Sequence, residues 1–351
     1  MFSLADLCLN AVTEAPARCL RIQTDDADAT HPALLRCVPD GFEACVQARA
    51  WPDRWSSVEA STDNVRRRAR SEARPQLVAT LCQRGALVDG VLPPRFFEGL
   101  RVDALSLAAC RARAPFVMLA GARVPLTCLD LGSCLQLDDA ILQIVMEACG
   151  LTLKRLNVRD CRKLTDLAFE ALKTPVLEDL DVGGNFNMTL AGASSYVTAK
   201  RKCGDDRCLA ALSVAGFGAD DAFLATLARK VPSLKVLGCG YGRFTAIGFA
   251  QICLQTLVDV RVQWSEGFDD ACLEALANVA PLQCLNCLGT QVTVDAVTRF
   301  LQRKVHDATL GPQPSRCLEY LNCRYTAGPR EKLEKLPKQW RSAAVEIVAA
   351  V

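Results

Sequence analysis

The residues of this chain that most suggest chemistry are the two thiols of Cys284-x-x-Cys287, whose spacing is typical of a zinc ligand pair or a redox dithiol. The chain has 19 cysteines and only two histidines, His31 and His306. It contains no second Cys-x-x-Cys pair to complete a four-ligand zinc site. We therefore expect no metal site, no thiol chemistry and no cofactor.

Other catalytic signatures are missing as well. The sequence lacks G-x-x-x-x-G-K-S/T, G-x-G-x-x-G, G-x-S-x-G and H-E-x-x-H, which mark nucleotide, hydrolase and zinc protease sites. The net charge of +2 and pI of about 7.8 give no strong attraction to nucleic acid. No apolar run approaches the ~18 residues of a membrane span. These features predict a protein that is not an enzyme, with no membrane and no direct nucleic-acid partner.

A repeat organises most of the chain. The segment Leu126–Val176 contains LTCLDLGSCLQLDD and then LKRLNVRDCRKLTD, each followed by an amphipathic stretch. When further copies are aligned on the middle leucine of this pattern, that position holds Leu105, Leu129, Leu156, Leu180, Leu212, Leu237, Val260, Leu285 and Leu321. Most spacings lie in the range of ~20–29 residues found for leucine-rich repeats. Longer spacings mark insertions at Ala193–Arg207 and Val305–Arg316.

Each copy should form a strand, a turn and a helix. Leu129 and Leu131 alternate with other residues, so both face the same side of a short strand. Cys134 follows at the turn, where a thiol packs as a small buried hydrophobe. The thiols expected to be buried in this way are Cys134, Cys161, Cys239, Cys287 and Cys323. The expected helix N-caps are Asp138, Thr165, Thr189, Asp220, Thr245, Asp269 and Thr293.

The motifs Cys134-x-x-Leu-Asp-Asp and Cys161-x-x-Leu-Thr-Asp resemble the cysteine-containing leucine-rich repeats of F-box and AMN-like proteins. The resemblance covers roughly residues 102–325. It implies an α/β solenoid, a horseshoe with short parallel strands inside and helices outside. We accordingly expect a mainly helical region over 1–100, eight or nine repeats over 101–328, and a capping helix over 329–351.

The start of the chain resembles a second motif. Residues Ser3–Val12 match the pattern Ser/Thr-Leu-x-x-x-Cys-x-x-x-aliphatic of the BC box, the elongin-binding helix of some ubiquitin-ligase receptors. Leu4 and Cys8 are four residues apart and would share one helical face, with Leu4 as an anchor in a partner groove. Residues 38–46 and 92–100 loosely match the cullin box that should follow. The alternative is an ordinary amphipathic helix packed on the first repeat.

The residues between the strand leucines should line the concave face of the horseshoe. Small residues dominate this face in the early and middle copies, whereas large ones cluster in the late copies. Aromatic and arginine side chains are common anchors of protein interfaces. The candidate protein-binding residues on this face are Asp130, Arg159, Asp181, Tyr241, Arg261, Gln263, Trp264 and Tyr325. Trp264 is the strongest single candidate, and the alternative is that Tyr and Trp here only cover the turn edge.

The sequence as a whole predicts a non-catalytic protein-binding module. The BC-box-like start favours a substrate receptor or adaptor of a cullin-type ubiquitin ligase, which would bind elongin and cullin through its N-terminal helix. The alternative is a scaffold subunit of a ribonucleoprotein or cytoskeletal particle. The N-terminus lacks a secretory signal, so an intracellular, cytoplasmic location is expected. The basic cluster Asn64–Arg74 leaves nuclear import open, and Arg18 and Arg21 leave mitochondrial import open.

Overall fold

The computed structural model describes residues 95–174, 176–200, 209–252, 256–279, 281–309 and 318–325, together with shorter stretches between 75 and 92 and residues 327, 334–336 and 346–349. The BC-box-like segment with Leu4 and Cys8 lies outside these residues. The chain divides into two compact units, Met1–Leu153 and Lys154–Val351, and both show the strand–turn–helix repeat.

From residue 95 onward, the first unit contains two strands and two helices, in the order β1 (Ala104–Ser106), α1 (Ala114–Ala122), β2 (Cys128–Asp130) and α2 (Asp139–Cys149). The strands pair in parallel with Leu105 opposite Leu129, and α1 packs against α2. Helix α1 has no side-chain cap at its own N-terminus. Asp89 from the preceding segment supplies one, since its Oδ1 accepts the N–H groups of Arg113 at 3.0 Å and Ala114 at 2.8 Å.

The second unit continues the repeat through eight strands and six helices among its described residues. In chain order these are β3 (Arg155–Asn157), α3 (Ala168–Ala171), β4 (Asp179–Asp181), α4 (Leu190–Lys200), β5 (Ala211–Ser213), α5 (Asp221–Lys230), β6 (Val236–Gly238), α6 (Ala246–Ile252), β7 (Asp259–Arg261), α7 (Asp270–Ala277), β8 (Cys284–Asn286), α8 (Val294–Thr309), β9 (Tyr320–Asn322) and β10 (Glu346–Val348). The strands lie side by side in sequence order and all pair in parallel. Successive helices also pack on one another.

The predicted register of the leucines is confirmed. The middle residues of β3 to β9 lie opposite one another, from Leu156 and Leu180 through to Leu285 and Leu321. These residues, and those two positions further on, are buried, because alternate strand residues face the same side. Burying one such side chain is worth ~1.5–3 kcal/mol, so the stack of repeats forms a continuous core. The architecture is the predicted α/β leucine-rich-repeat solenoid. We call the face of the sheet that points away from this core the strand side.

Six of the seven predicted helix caps are confirmed. The carboxylates of Asp138, Asp220 and Asp269 accept the N–H three residues ahead at 2.8–3.1 Å. The hydroxyls of Thr189, Thr245 and Thr293 do the same at 3.1–3.4 Å. The prediction is wrong for Thr165, because α3 begins at Ala168 with Leu167 as its N-cap and no side-chain cap; the Thr165 hydroxyl accepts the N–H of Leu167 at 3.3 Å in the turn before the helix. Each cap satisfies a backbone donor that has no partner inside the helix.

A second carboxylate links neighbouring repeats at the same edge. Asp166 accepts both the backbone N–H of Thr189 at 2.7 Å and its hydroxyl at 2.6 Å. Asp221 holds Thr245 in the same way, and Asp270 holds Thr293. We call these pairs the Asp–Thr clasps. They explain why some copies have threonine as the cap, since an aspartate there would repel the carboxylate of the preceding repeat.

The tail contributes a strand that the sequence analysis did not predict. A capping helix was expected over 329–351, but β10 pairs with β9 in parallel and places Ile347 opposite Leu321. Residues 334–336 are helical. A strand is favoured here because β9 would otherwise leave its backbone groups unpaired at the edge of the sheet. Among the described residues, no helix combines the length and apolar character needed to cross a membrane.

Candidate functional site

The residue four positions beyond the middle of each strand has a left-handed backbone. In the second unit we call these residues the turn row, and they are Asp160 (φ 57°), Gly184 (74°), Gly216 (89°), Tyr241 (59°), Trp264 (57°), Gly289 (66°) and Tyr325 (55°). In the first unit, Ala109 and Ser133 have the same conformation. A left-handed backbone costs ~1–2 kcal/mol for residues with a side chain and is a clear outlier for bulky ones.

Backbone hydrogen bonds impose this conformation whatever side chain is present. The turn N–H of Trp264 donates to the carbonyl of Leu288 at 2.7 Å, and that of Gly289 donates to Arg324 at 2.8 Å. Strand residues assist the turn, since the Oδ1 of Asn322 accepts the N–H of Arg324 at 3.3 Å. Asn157, Asp181 and Asn286 make the equivalent bond. The turn row is therefore a rigid scaffold on which side chains can vary.

Two aromatic rings stack along the late part of the turn row. The rings of Trp264 and Tyr325 have centroids 5.9 Å apart and planes inclined by 24°, although a whole repeat separates them. The intervening turn residue is Gly289, and a Cβ built there would lie 2.3 Å from Cε3 of Trp264. The indole of Trp264 thus lies over Gly289 and reaches Tyr325, two repeats further along the chain. Glycine suits the left-handed backbone here, and the indole leaves no space for a larger residue.

These aromatics remain open to solvent. Tyr241 is 54% exposed, Trp264 is 42% exposed and Tyr325 is 53% exposed. Each of the three rings therefore keeps a face open to solvent, and Trp264 and Tyr325 present theirs as a stacked pair.

The other predicted surface residues are tied into ion pairs on the strand side. Arg261 donates to Asp259 from Nε at 3.1 Å and from Nη2 at 2.6 Å, and this hydrogen-bonded carboxylate raises the pKa of Arg261. Arg159 lies 3.8 Å from Asp181 and 3.4 Å from Asp160. Asp130, in the first unit, accepts the hydroxyl of Ser106 at 3.1 Å and the N–H of Gly132 at 3.0 Å.

Gln263 lies over the sheet rather than projecting from it. A Cβ built on Gly240 would be 2.8 Å from Cδ of Gln263, so the amide fills the space above that glycine. Its Oε1 is buried and has no hydrogen-bond partner among the described residues. Val260 and Val262 on either side of Arg261 are fully buried, as the strand alternation predicted.

The thiols occupy core positions, as predicted from the repeat. Cys134, Cys161, Cys239, Cys287 and Cys323 are all buried. Burial raises the pKa of Cys239 and of Cys323 to about 12. Cys287 faces the core whereas Cys284 is half-buried on the strand side, so the Cys-x-x-Cys sulfurs lie on opposite faces of one strand. No group of three or more His, Cys, Asp or Glu side chains in the described part of the chain is placed to hold a metal ion.

The turn thiol also bonds between repeats, which the sequence analysis did not foresee. Cys134 donates to the carbonyl of Leu107 at 3.1 Å in the preceding repeat. Asn185 occupies the same repeat position and donates to Val158 at 2.9 Å and Val182 at 2.8 Å. The exchange of Cys for Asn thus conserves a donor to the neighbouring strand.

Sequence reasoning missed several charged residues of the surface. Asp179 and Asp259 start their strands and face the strand side, and Arg155 does so on β3. Strand alternation could have identified them, since the position before the middle residue faces outward like the one after it. Burial raises the pKa of Asp179, and Arg155 and Arg261 partly oppose this effect. Arg243, Glu266 and Arg324 are exposed beside the aromatic turn residues.

Comparisons with known proteins find similarity to solved structures at low sequence identity. No protein-family model matches this chain, and no curated protein matches its sequence. Among solved structures, it is similar to yeast Rad7 in complex with Elc1, with 15% identity and a TM-score of 0.49 over 79% of this chain and 86% of that chain. Human trophoblast glycoprotein has 14% identity and a TM-score of 0.38 over 69% and 84%. The leucine-rich repeat-containing protein LegL7 of Legionella pneumophila has 13% identity and a TM-score of 0.38 over 70% and 79%. None of these similarities assigns a family or a function to the chain.

Proposed function

We propose that this chain is a non-catalytic protein-binding module whose partner binds the turn row and strand side of the late repeats. The observation that carries the proposal is the exposed aromatic row of Tyr241, Trp264 and Tyr325 on a left-handed backbone. Glycine would satisfy that backbone without strain, as it does at Gly184 and Gly216. Bulky residues kept in an unfavourable conformation point to a role outside folding.

The remaining surface composition supports the same function. Tyr, Trp and Arg are the residue types that most often dominate binding energy, and here they surround a platform already ordered by stacking and ion pairs. A partner would therefore lose little free energy in immobilising these side chains. Gly216, where an added Cβ would meet nothing nearer than 3.7 Å, leaves room for the partner's backbone in the repeat next to Tyr241.

The test of this proposal is the double substitution of Trp264 and Tyr241 by alanine. Truncating a central aromatic anchor costs ~2 kcal/mol or more of binding free energy. The affinity for the purified native partner, measured by interferometry, should therefore fall at least about tenfold. The matched control replaces Leu167 and Ile247, which are 71% and 80% exposed, with alanine, and should leave the affinity unchanged. Unchanged affinity in the aromatic variant, or a collapse of its thermal midpoint, would contradict the proposal.

The more specific role that we propose is a substrate receptor or adaptor of a cullin-type ubiquitin ligase. Its support is the BC-box-like pattern at Ser3–Val12 and the cysteine-type repeats. Affinity purification of the full chain should then recover elongin and cullin, and Leu4→Ala with Cys8→Ala should abolish that recovery while the repeats stay folded. Recovery of a stable large particle without elongin would favour the scaffold function instead.

A further inference from the structure

We propose that Cys82 and Cys110 form a reversible disulfide bond when the chain meets a low-molecular-weight disulfide such as oxidised glutathione. The bond would fasten the described residues between 75 and 92, which we call the leading segment, to the first repeat. Both thiols lie in the first compact unit, whereas the aromatic turn residues lie in the second. The proposal therefore does not depend on the proposed function.

The two thiols are in direct contact inside the core. Cys82 is 1% exposed and Cys110 is fully buried, and a hydrogen bond joins their side chains. The Cys110 thiol itself donates to the carbonyl of Ala112 at 3.5 Å, so Cys82 is the donor in the bond between the thiols. This bond lowers the pKa of Cys110 and raises that of Cys82, because a donor stabilises the neighbouring thiolate. Cys110 is therefore the sulfur that reacts first.

The chain segments that carry the two thiols meet again at the residues that follow. A Cβ built on Gly85 would lie 3.3 Å from Cζ of Arg111. Further on, the Oδ1 of Asp89 accepts the N–H groups of Arg113 at 3.0 Å and Ala114 at 2.8 Å. The thiol contact is thus the first of three successive contacts between the leading segment and the first repeat, and ordered backbone on both sides holds it in place.

The repeat explains why a thiol of the first repeat meets another thiol. Cys110, Cys134 and Asn185 hold the same position in their repeats. Cys134 donates to the carbonyl of Leu107 in the preceding repeat at 3.1 Å, and Asn185 bonds to its own preceding repeat. Cys110 follows β1, the first strand of the sheet, and has Cys82 as its neighbour instead. A position that elsewhere forms a hydrogen bond to the preceding repeat is here placed to form a covalent one.

The oxidation balances as two steps of thiol–disulfide exchange. The Cys110 thiolate attacks one sulfur of oxidised glutathione, whose S–S bond breaks and releases one glutathione. The Cys82 sulfur then attacks the mixed disulfide at Cys110 and gives its proton to the second glutathione as it leaves. The protein loses two hydrogen atoms, and the reagent is reduced to two thiols. Exposed residues, Gln83 and Arg111, directly follow the two cysteines, so a local opening of the leading segment admits the reagent.

Peptide mapping of the native full chain after equilibration with oxidised glutathione tests the proposal. Mass spectrometry should find the peptides of Cys82 and Cys110 joined, with the loss of two hydrogen atoms, and dithiothreitol should separate them. Oxidation should also raise the thermal midpoint of unfolding by ~5 °C, because the cross-link restricts the unfolded chain.

Two serine variants supply the controls. Cys82→Ser should lose both the joined peptide and the shift in thermal midpoint. Cys134→Ser should keep both, since Cys134 has the repeat position of Cys110 but bonds to a carbonyl. Mapping of the native chain stands without either variant. A folded native chain in which Cys82 and Cys110 stay reduced, or in which the end product is a glutathione adduct or a bond to another cysteine, would overturn the proposal.

Discussion

The early and late parts of the turn row share one backbone conformation but carry different side chains. Asp160, Gly184 and Gly216 have φ values between 57° and 89°, and Tyr241, Trp264, Gly289 and Tyr325 have values between 55° and 66°. The early part is polar or bare, whereas the late part carries three aromatic rings. The comparison teaches that the hydrogen-bond ladder determines the turn conformation, and that the choice of side chain is left to function.

The largest expected effect on stability comes from filling the glycine beneath the indole. Gly289→Ala adds a left-handed alanine and a Cβ that would lie 2.3 Å from the Trp264 ring, so it should lower the free energy of unfolding by about 2–3 kcal/mol. Gly216→Ala meets only backbone atoms at 3.7 Å or beyond and should cost about 1–2 kcal/mol. Urea denaturation measures both.

The same substitution in a Trp264→Ala background sharpens this comparison. With the indole removed, Gly289→Ala should cost no more than Gly216→Ala does, because only the backbone term remains. A full penalty in the double variant would show that the overlap with Trp264 is not its cause.

Loss of an Asp–Thr clasp should lower the free energy of unfolding equally in an early and in a late repeat. Asp166→Ala and Asp270→Ala each remove two hydrogen bonds to a threonine cap, so each should lower the free energy of unfolding by about 1–2 kcal/mol. The two variants serve as controls for one another in thermal denaturation. A much larger loss for one of them would mean that the repeats differ in stability at the helix edge as well as in the turn row.

A smaller effect should reveal the strain at Tyr241. Since its φ is 59°, Tyr241→Gly should be more stable than Tyr241→Ala by about 0.5–1 kcal/mol. Tyr320 lies in strand β9, where glycine is disfavoured, so the order of the two substitutions should reverse there. The same order at both positions would contradict the backbone strain.

The smallest effect concerns the pH dependence of stability at Asp179. Its pKa is raised by burial, so the folded state favours the protonated carboxyl. That contribution is fully present below the ordinary aspartate pKa of 3.8 and is lost as the pH rises through the folded-state value. The free energy of unfolding of the native chain should therefore decline as the pH rises through this range, and Asp179→Asn should remove that decline. Urea titration at several pH values measures both profiles. An unchanged pH profile would show that Arg155 and Arg261 cancel the effect of burial.

Periodicity made most of the fold predictable. The leucine register, the inward thiols and six of the seven predicted helix caps follow from spacing and residue type, because each depends on contacts within one repeat or with its nearest neighbours. The position of Trp264 at a strand end followed in the same way. Its conformation did not, since nothing in the residues around 264 reports a glycine 25 residues later that leaves space for the indole.

By itself, the sequence determined which strand residues face the core and where most of the helices begin. The tertiary structure decided the relations between repeats, namely the stacking of Trp264 on Tyr325, the Asp–Thr clasps and the addition of β10 to the sheet. The physical reason is that local patterns specify direction and capping within a few residues. A contact between repeats instead depends on two distant side chains whose meeting requires the register of the whole stack.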